Sequence, residues 1–96
     1  MLTEEVFMKR KPNYDLLVIV QELKSGEFEL RRQFSFALNA RSEIRAINEA
    51  MAEFMHCVGQ SHKGMRVTAQ LQMNKGRERG VIIKNFELWS LGYTVI

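Results

Sequence analysis

One cysteine, one proline and one tryptophan in 96 residues is a sparse allotment, and each scarcity excludes something. With Cys57 alone there is no partner for an internal disulfide, and a lone thiol fits a reducing compartment. Pro12 sits in "KRKPN", which reads as a turn, and nothing else in the chain resembles a proline-rich linker. Long apolar runs are also missing. The longest, "LLVIV" from Leu16 to Val20, is far short of the ~18 or more residues that a membrane span needs. The opening "MLTEEVFMKRKP" places two acids before its bases and has no apolar segment of the kind a secretory signal carries. These absences read as a cytoplasmic chain with no membrane partner.

Catalytic signatures are lacking too. There is no GxSxG, P-loop or GxGxxG, and the carboxylates are scattered over tips and strand edges rather than paired for acid–base work. We read the chain as not an enzyme. The soft metal ligands are His56, Cys57 and His62, fewer than the four a structural zinc site uses. Neighbouring residues on a helix point about 100° apart, so His56 and Cys57 read as a surface histidine beside a buried thiol. No metal or other cofactor is expected.

What is present is a globular composition, 46% hydrophobic and 26% charged, in a length that accommodates one core. The expected organisation is a single domain over residues 1–96. Residues 1–12 form an edge strand or arm, and residues 89–96 an apolar tail, "WSLGYTVI". Net charge is +3, unevenly spread. Residues 1–30 hold six acids and four bases, whereas residues 31–96 hold ten bases and five acids. A basic excess of that kind attracts a polyanion or an acidic protein face.

Hydrophobic periodicity supplies the elements. "EVFMK" (Glu5 to Lys9) reads as a short edge strand. "YDLLVIVQEL" (Tyr14 to Leu23) is apolar on both faces in its middle, as a central strand is. "KSGE" (Lys24 to Glu27) supplies a glycine for a tight turn. "FELRRQFSFAL" alternates, with Phe28, Leu30, Phe34, Phe36 and Leu38 on one face and Glu29, Arg31, Gln33 and Ser35 on the other. Arg32 falls on the apolar face, either snorkelling to water near a strand end or buried for a function.

The period then changes to that of a helix over roughly 41–58. Ile44, Ile47, Met51, Phe54, Met55 and Val58 form its inner face, Asn39 or Ser42 caps it, and Gly59 is its left-handed stop. The alternative for "SEIRAIN" is a short strand before a shorter helix. "MRVTAQLQM" places Met65, Val67, Ala69, Leu71 and Met73 inward, with Arg66, Thr68, Gln70 and Gln72 outward. "GVIIKNFELW" (Gly80 to Trp89) completes a hairpin. The fold class expected is α+β: a small antiparallel sheet or an OB-like, partly open barrel, in the order β(β)β–α–ββ with one amphipathic helix.

Three features carry the functional expectation. The loop "NKGRERG" (Asn74 to Gly80) alternates Lys75, Arg77 and Arg79 around glycine, and reads either as a solubilising tip or as an arm that reaches phosphates. The polar strand faces, with Arg31, Gln33, Arg66 and Gln70, are rich in donors and amides, which suit backbone and base contacts. Trp89, with Tyr14, Phe28 and Tyr93, supplies the aromatics least securely assigned to the core and hence available for base stacking. The methionines Met51, Met55, Met65 and Met73 read as core filling.

The segment "EAMAEFMHCVGQSHKGMRVTAQLQMNKGRERGVIIKNFELW" resembles the end of an OB-fold of the bacterial single-stranded-DNA-binding type, which includes primosomal replication protein B. There a helix leads into a KG-x-x-V-x-V-x-G-x-L strand, a hairpin tip, and a strand closing apolar–acidic–apolar. Here Lys63-Gly64 precede Arg66-Val67 and Ala69-Gln70-Leu71, and "NFELW" closes the last strand; Gln70 stands where the pattern has glycine. The resemblance implies an oligonucleotide groove flanked by the loop at Lys75, Arg77 and Arg79. The function expected is non-enzymatic binding of single-stranded DNA or RNA with little sequence specificity. The alternative is a protein–protein module, an adaptor or inhibitor, that docks through a sheet edge, helix face or apolar tail onto an acidic partner. A homodimer fits either reading.

Overall fold

The computed structural model describes residues 11–91, and within them the chain forms four strands and one helix. β1 (Asn13–Lys24) and β2 (Glu27–Ala37) are joined by a two-residue turn in which Ser25 and Gly26 both have positive φ, 51° and 82°. A turn of that twist matches the right-handed twist of the flanking strands. α1 (Glu43–Gln60) follows, then β3 (Arg66–Lys75) and β4 (Glu78–Trp89). The sheet is wholly antiparallel, in the order β2-β1-β3-β4. The small α+β sheet with one helix is therefore the fold, and it is an open sheet rather than a closed barrel. The strand expected at Glu5 to Lys9 and the tail beyond Leu91 lie outside the described residues.

α1 packs across β1, β3 and β4 and does not reach β2. Its partners are the alternate residues Leu16, Val18 and Val20 of β1 and Val67, Ala69 and Leu71 of β3, all 5% exposed or less. Tyr14 completes this row, and burial, then the nearby Glu43 carboxylate, push its phenol above its ordinary pKa. Burying one strand face in this way is worth roughly 1.5–3 kcal/mol per large aliphatic side chain.

The helix is rotated relative to its sequence pattern. Ala46, Ala50, Phe54 and Cys57 face the sheet, Ile47 and Val58 flank them, and Ile44, Met51 and Met55 are exposed at 72%, 45% and 49%. The expectation that Met51 and Met55 fill the core is thus corrected; Met65 and Met73 do pack against it. The physical reason is size. Ala46 and Ala50 let the helix backbone approach the sheet closely, and Phe54 reaches the Phe86 ring on β4 at 5.3 Å.

Both helix ends differ from expectation in detail. Ser42 is the N-cap residue, without a side-chain cap bond. Gly59 is not the stop; it lies inside α1, which ends at Gln60. The terminal carbonyls are met instead by hydroxyls. Ser61 Oγ donates to Cys57 O at 2.7 Å, and Ser90 Oγ lies 3.0 Å from Val58 O and 2.8 Å from Ser61 O. At the other end Glu49 reaches back from α1 and accepts from the amides of Asn39 and Ala40 at 2.9 Å each, holding the β2–α1 connection.

Candidate functional site

Because strand residues alternate, the face opposite α1 collects Thr68, Gln70 and Gln72 of β3 with their cross-strand neighbours. The register sets them in rows. Gln33, Ile19, Thr68 and Glu87 form one row, and Ser35, Leu17, Gln70 and Asn85 the next. The rows on β1, β3 and β4 line a shallow groove of about 430 Å³, between Leu17, Ile19, Thr68, Gln70, Asn85 and Glu87. Its floor is half apolar and its walls are amides, a hydroxyl and one carboxylate.

At one end of the groove the face becomes aromatic. The β1–β2 register slips at Val20/Gln21, leaving Arg31 as an extra residue between the pairs Val20–Arg32 and Gln21–Leu30. A bulge of this kind exchanges the faces of everything beyond it. Leu30 therefore joins Gln21, Arg66 and Trp89 in the next row of the open face, and Phe28 follows. The Arg66 guanidinium lies 3.8 Å from the Phe28 ring centroid, and the Phe28 and Trp89 rings are 5.8 Å apart. Gln21 Oε1 accepts from Arg66 Nη2 at 2.6 Å and Nε at 3.1 Å, while Glu87 sits 3.6 Å from Nη1. Phe28 and Trp89 nonetheless remain 41% and 46% exposed.

Two sequence assignments change with the bulge. Phe28 and Leu30 do not share a face with Phe34 and Phe36. Arg31 is not on the open face with Gln33; it turns to the opposite side, where its Nε donates to Glu22 at 2.7 Å and Glu29 lies at 3.5 Å. Arg32 stays on the helix side but is exposed, with its guanidinium 5.6 Å from the Phe34 ring, so the snorkelling account describes it and the buried one does not. The signal available in sequence was the Arg31-Arg32 doublet itself, which breaks an otherwise regular alternation.

The basic tip stands at the other end of the sheet. Seven residues were expected to form a loop; instead the strands run on to Lys75 and Glu78, and the turn between them is Gly76-Arg77 alone. Gly76 at φ 60° permits that tight turn, and Gly80 at φ 64° occupies the irregularity beside Asn74. Asn74 fixes the tip to the sheet, donating to Asp15 Oδ2 at 2.8 Å and accepting from the Gly80 amide at 2.8 Å. Lys75, Arg77 and Arg79 are all exposed on this pinned hairpin. The same end of the molecule carries Arg41, whose Nη1 donates to Asn13 Oδ1.

Of the residues singled out from sequence, Arg66, Gln70, Gln33 and Trp89 thus share the open face, and Lys75, Arg77 and Arg79 cluster at its far end. Tyr14 is buried on the other side, and Tyr93 lies outside the described residues. Phe28, one of the aromatics offered for stacking, stands on the open face as well, and Gln21, Asn74 and Asn85 join the site through register, which composition does not reveal. Among the described residues no three His, Cys, Asp or Glu side chains group as metal ligands, and no helix is long and apolar enough to cross a membrane. Cys57 is buried, and its thiol is pushed above the ordinary value by that burial and then by Glu53. In comparisons with known proteins, no family model, no curated protein and no solved structure matches this chain.

Proposed function

We propose that this protein binds single-stranded nucleic acid, DNA or RNA, on the open face of its sheet, without catalysis and with little sequence preference, in the cytoplasm. The observation that carries this reading is the face itself: an exposed Phe28–Trp89 pair with Arg66 at one end, three exposed cations at the other, and amides between them. Unpaired bases stack on such rings for about 1–3 kcal/mol each, and every base has a π-face, so sequence matters little. The amides of Gln70 and Asn85 offer donors and acceptors to base edges, and Lys75, Arg77 and Arg79 offer charge to backbone phosphates. The resemblance of residues 49–89 to the OB-fold single-strand binders supports the same ligand.

The test is fluorescence anisotropy of labelled single-stranded DNA, single-stranded RNA and duplex at two salt concentrations. Wild type is compared with the triple variant Lys75→Ala, Arg77→Ala, Arg79→Ala. Single strands are expected to bind more tightly than duplex. The salt slope should become shallower by about 2 in the variant, since each phosphate contact on a single strand contributes about 0.7. A wild type that binds no strand at low salt sinks the proposal.

A second reading, a protein–protein module, is favoured by one observation. Ile44 and Met51, seven residues apart on α1, are exposed together with Met55, and they form an apolar stripe on the helix surface. The occupant we assign to that stripe is a second copy of the chain.

A further inference from the structure

We infer that the open face is a two-ended site, and that its ligand must be an unpaired strand long enough to engage the aromatic end and the basic tip at once. This inference rests on the single-strand reading above and specifies its ligand. Arg66 and Lys75 are the first and last residues of β3, so at about 3.3 Å per residue the two ends stand roughly 30 Å apart. Neither end looks sufficient alone. The aromatic end offers one tilted ring pair, 5.8 Å between centroids, with its cation already held by Gln21 and Glu87. The tip offers three cations around one acid, Glu78, and no ring within its turn.

The ground between the ends is fit to be crossed. The two acids on this face are both engaged: Glu87 faces Arg66 at 3.6 Å, and Asp15 accepts from Asn74 at 2.8 Å. A phosphate backbone running from one end to the other therefore meets amides and a hydroxyl rather than an unpaired carboxylate. Both ends are also fixed to the sheet, the tip by Asn74 and the aromatic end by the Arg66–Gln21 bonds, so the span between them is a constant of the fold. When one strand reaches both, the second contact becomes intramolecular, and affinity rises without any new kind of interaction. A duplex, with its bases stacked and paired, cannot offer a base to the Phe28–Trp89 pair while its backbone lies on the tip.

The experiment is a length series of oligothymidylates from about 4 to about 16 nucleotides, the range of single OB-type sites. At about 3.4 Å per stacked nucleotide the gap needs roughly nine, and fewer when bases are splayed apart. Affinity is read by anisotropy and by quenching of Trp89, the single tryptophan of the chain. Wild type should show a step of about a hundredfold at the bridging length, the low side of the gain that linkage of two contacts gives. Trp89→Leu, Phe28→Leu and the triple tip variant should each abolish the step, so that affinity rises smoothly with length by anisotropy, with circular dichroism confirming the fold. The triple variant should still show Trp89 quenching by a saturating short strand.

A smooth rise with length in wild type, or a step that survives all three variants, overturns the two-ended site and leaves single-strand binding standing. Absence of binding at every length overturns the single-strand reading itself.

Discussion

Ser90 ties the end of β4 to the end of α1 with a single hydroxyl. Its Oγ lies within 3.0 Å of Val58 O, which also accepts from the Ser61 amide at 3.2 Å, and 2.8 Å from Ser61 O, so one proton is shared between two carbonyls at the helix end. The backbone reinforces the join: Ser90 N donates to Met65 O, and Gly64 N donates to Ser90 O, both at 2.8 Å. At 2% exposure no water replaces the hydroxyl when it is removed. Ser90→Ala should therefore cost about 1–3 kcal/mol, the penalty for a stranded buried partner. In a domain of this size each kcal/mol lowers the melting temperature by about 4–8 °C. Ser35→Ala, on the exposed face, is the control and should stay within about 0.5 kcal/mol. Equal urea midpoints for the two variants would show that the hydroxyl is not what closes the helix end. In sequence this device is silent. Gly59 was the natural stop, because glycine commonly ends helices in the left-handed region, whereas the actual cap arrives from 32 residues downstream and has no local signature.

At the scale of elements the decisive feature is the extra residue in β2. Strand existence, inner faces and the tight turn at Ser25-Gly26 were legible, because alternation and turn chemistry are local. The bulge was not, since a single inserted residue changes the phase of a strand without changing its composition. That one phase change carries Phe28 and Leu30 to the face where Arg66 and Trp89 stand. Deleting Arg31 should close the bulge and leave Leu30 opposite Gln21 and Phe28 opposite Leu23, in unbroken alternation on the open face. The Phe28–Trp89 contact, Trp89 emission and affinity for a long single strand should then stay at wild type, whereas Phe28→Ala should shift the emission to the red and lower affinity by about tenfold, the loss of one stacked base. Arg31→Ala keeps the bulge and removes only the ion pairs with Glu22 and Glu29, each worth about 0–1 kcal/mol at the surface, and should retain both emission and affinity. A red shift of Trp89 emission on the deletion would show that Arg31 is not the extra residue of β2.

On the scale of the whole molecule, the sheet has two faces and one helix, and the helix covers only part of one of them. Fold class could be read from sequence because a helical period between two alternating pairs of strands has few solutions. The rotation of α1 could not, because the sequence offers two apolar stripes on the same helix. Ile44, Met51 and Met55 are the larger side chains, but Ala46 and Ala50 win the sheet by allowing closer approach. The losing stripe is then the surface by which a second copy would join. Ile44, Met51 and Met55 lie seven and four residues apart, the spacing that keeps one seam facing a partner helix. Sedimentation equilibrium over a range of concentrations should show the wild type as a dimer. Met51→Gln with Met55→Gln should be monomeric with unchanged helical content, since both residues are exposed in the monomer. The triple tip variant should remain dimeric, because Lys75, Arg77 and Arg79 lie on the β3–β4 hairpin and not on α1. A monomeric wild type at every concentration removes self-association through the helix and leaves the open face as the surface through which the protein acts.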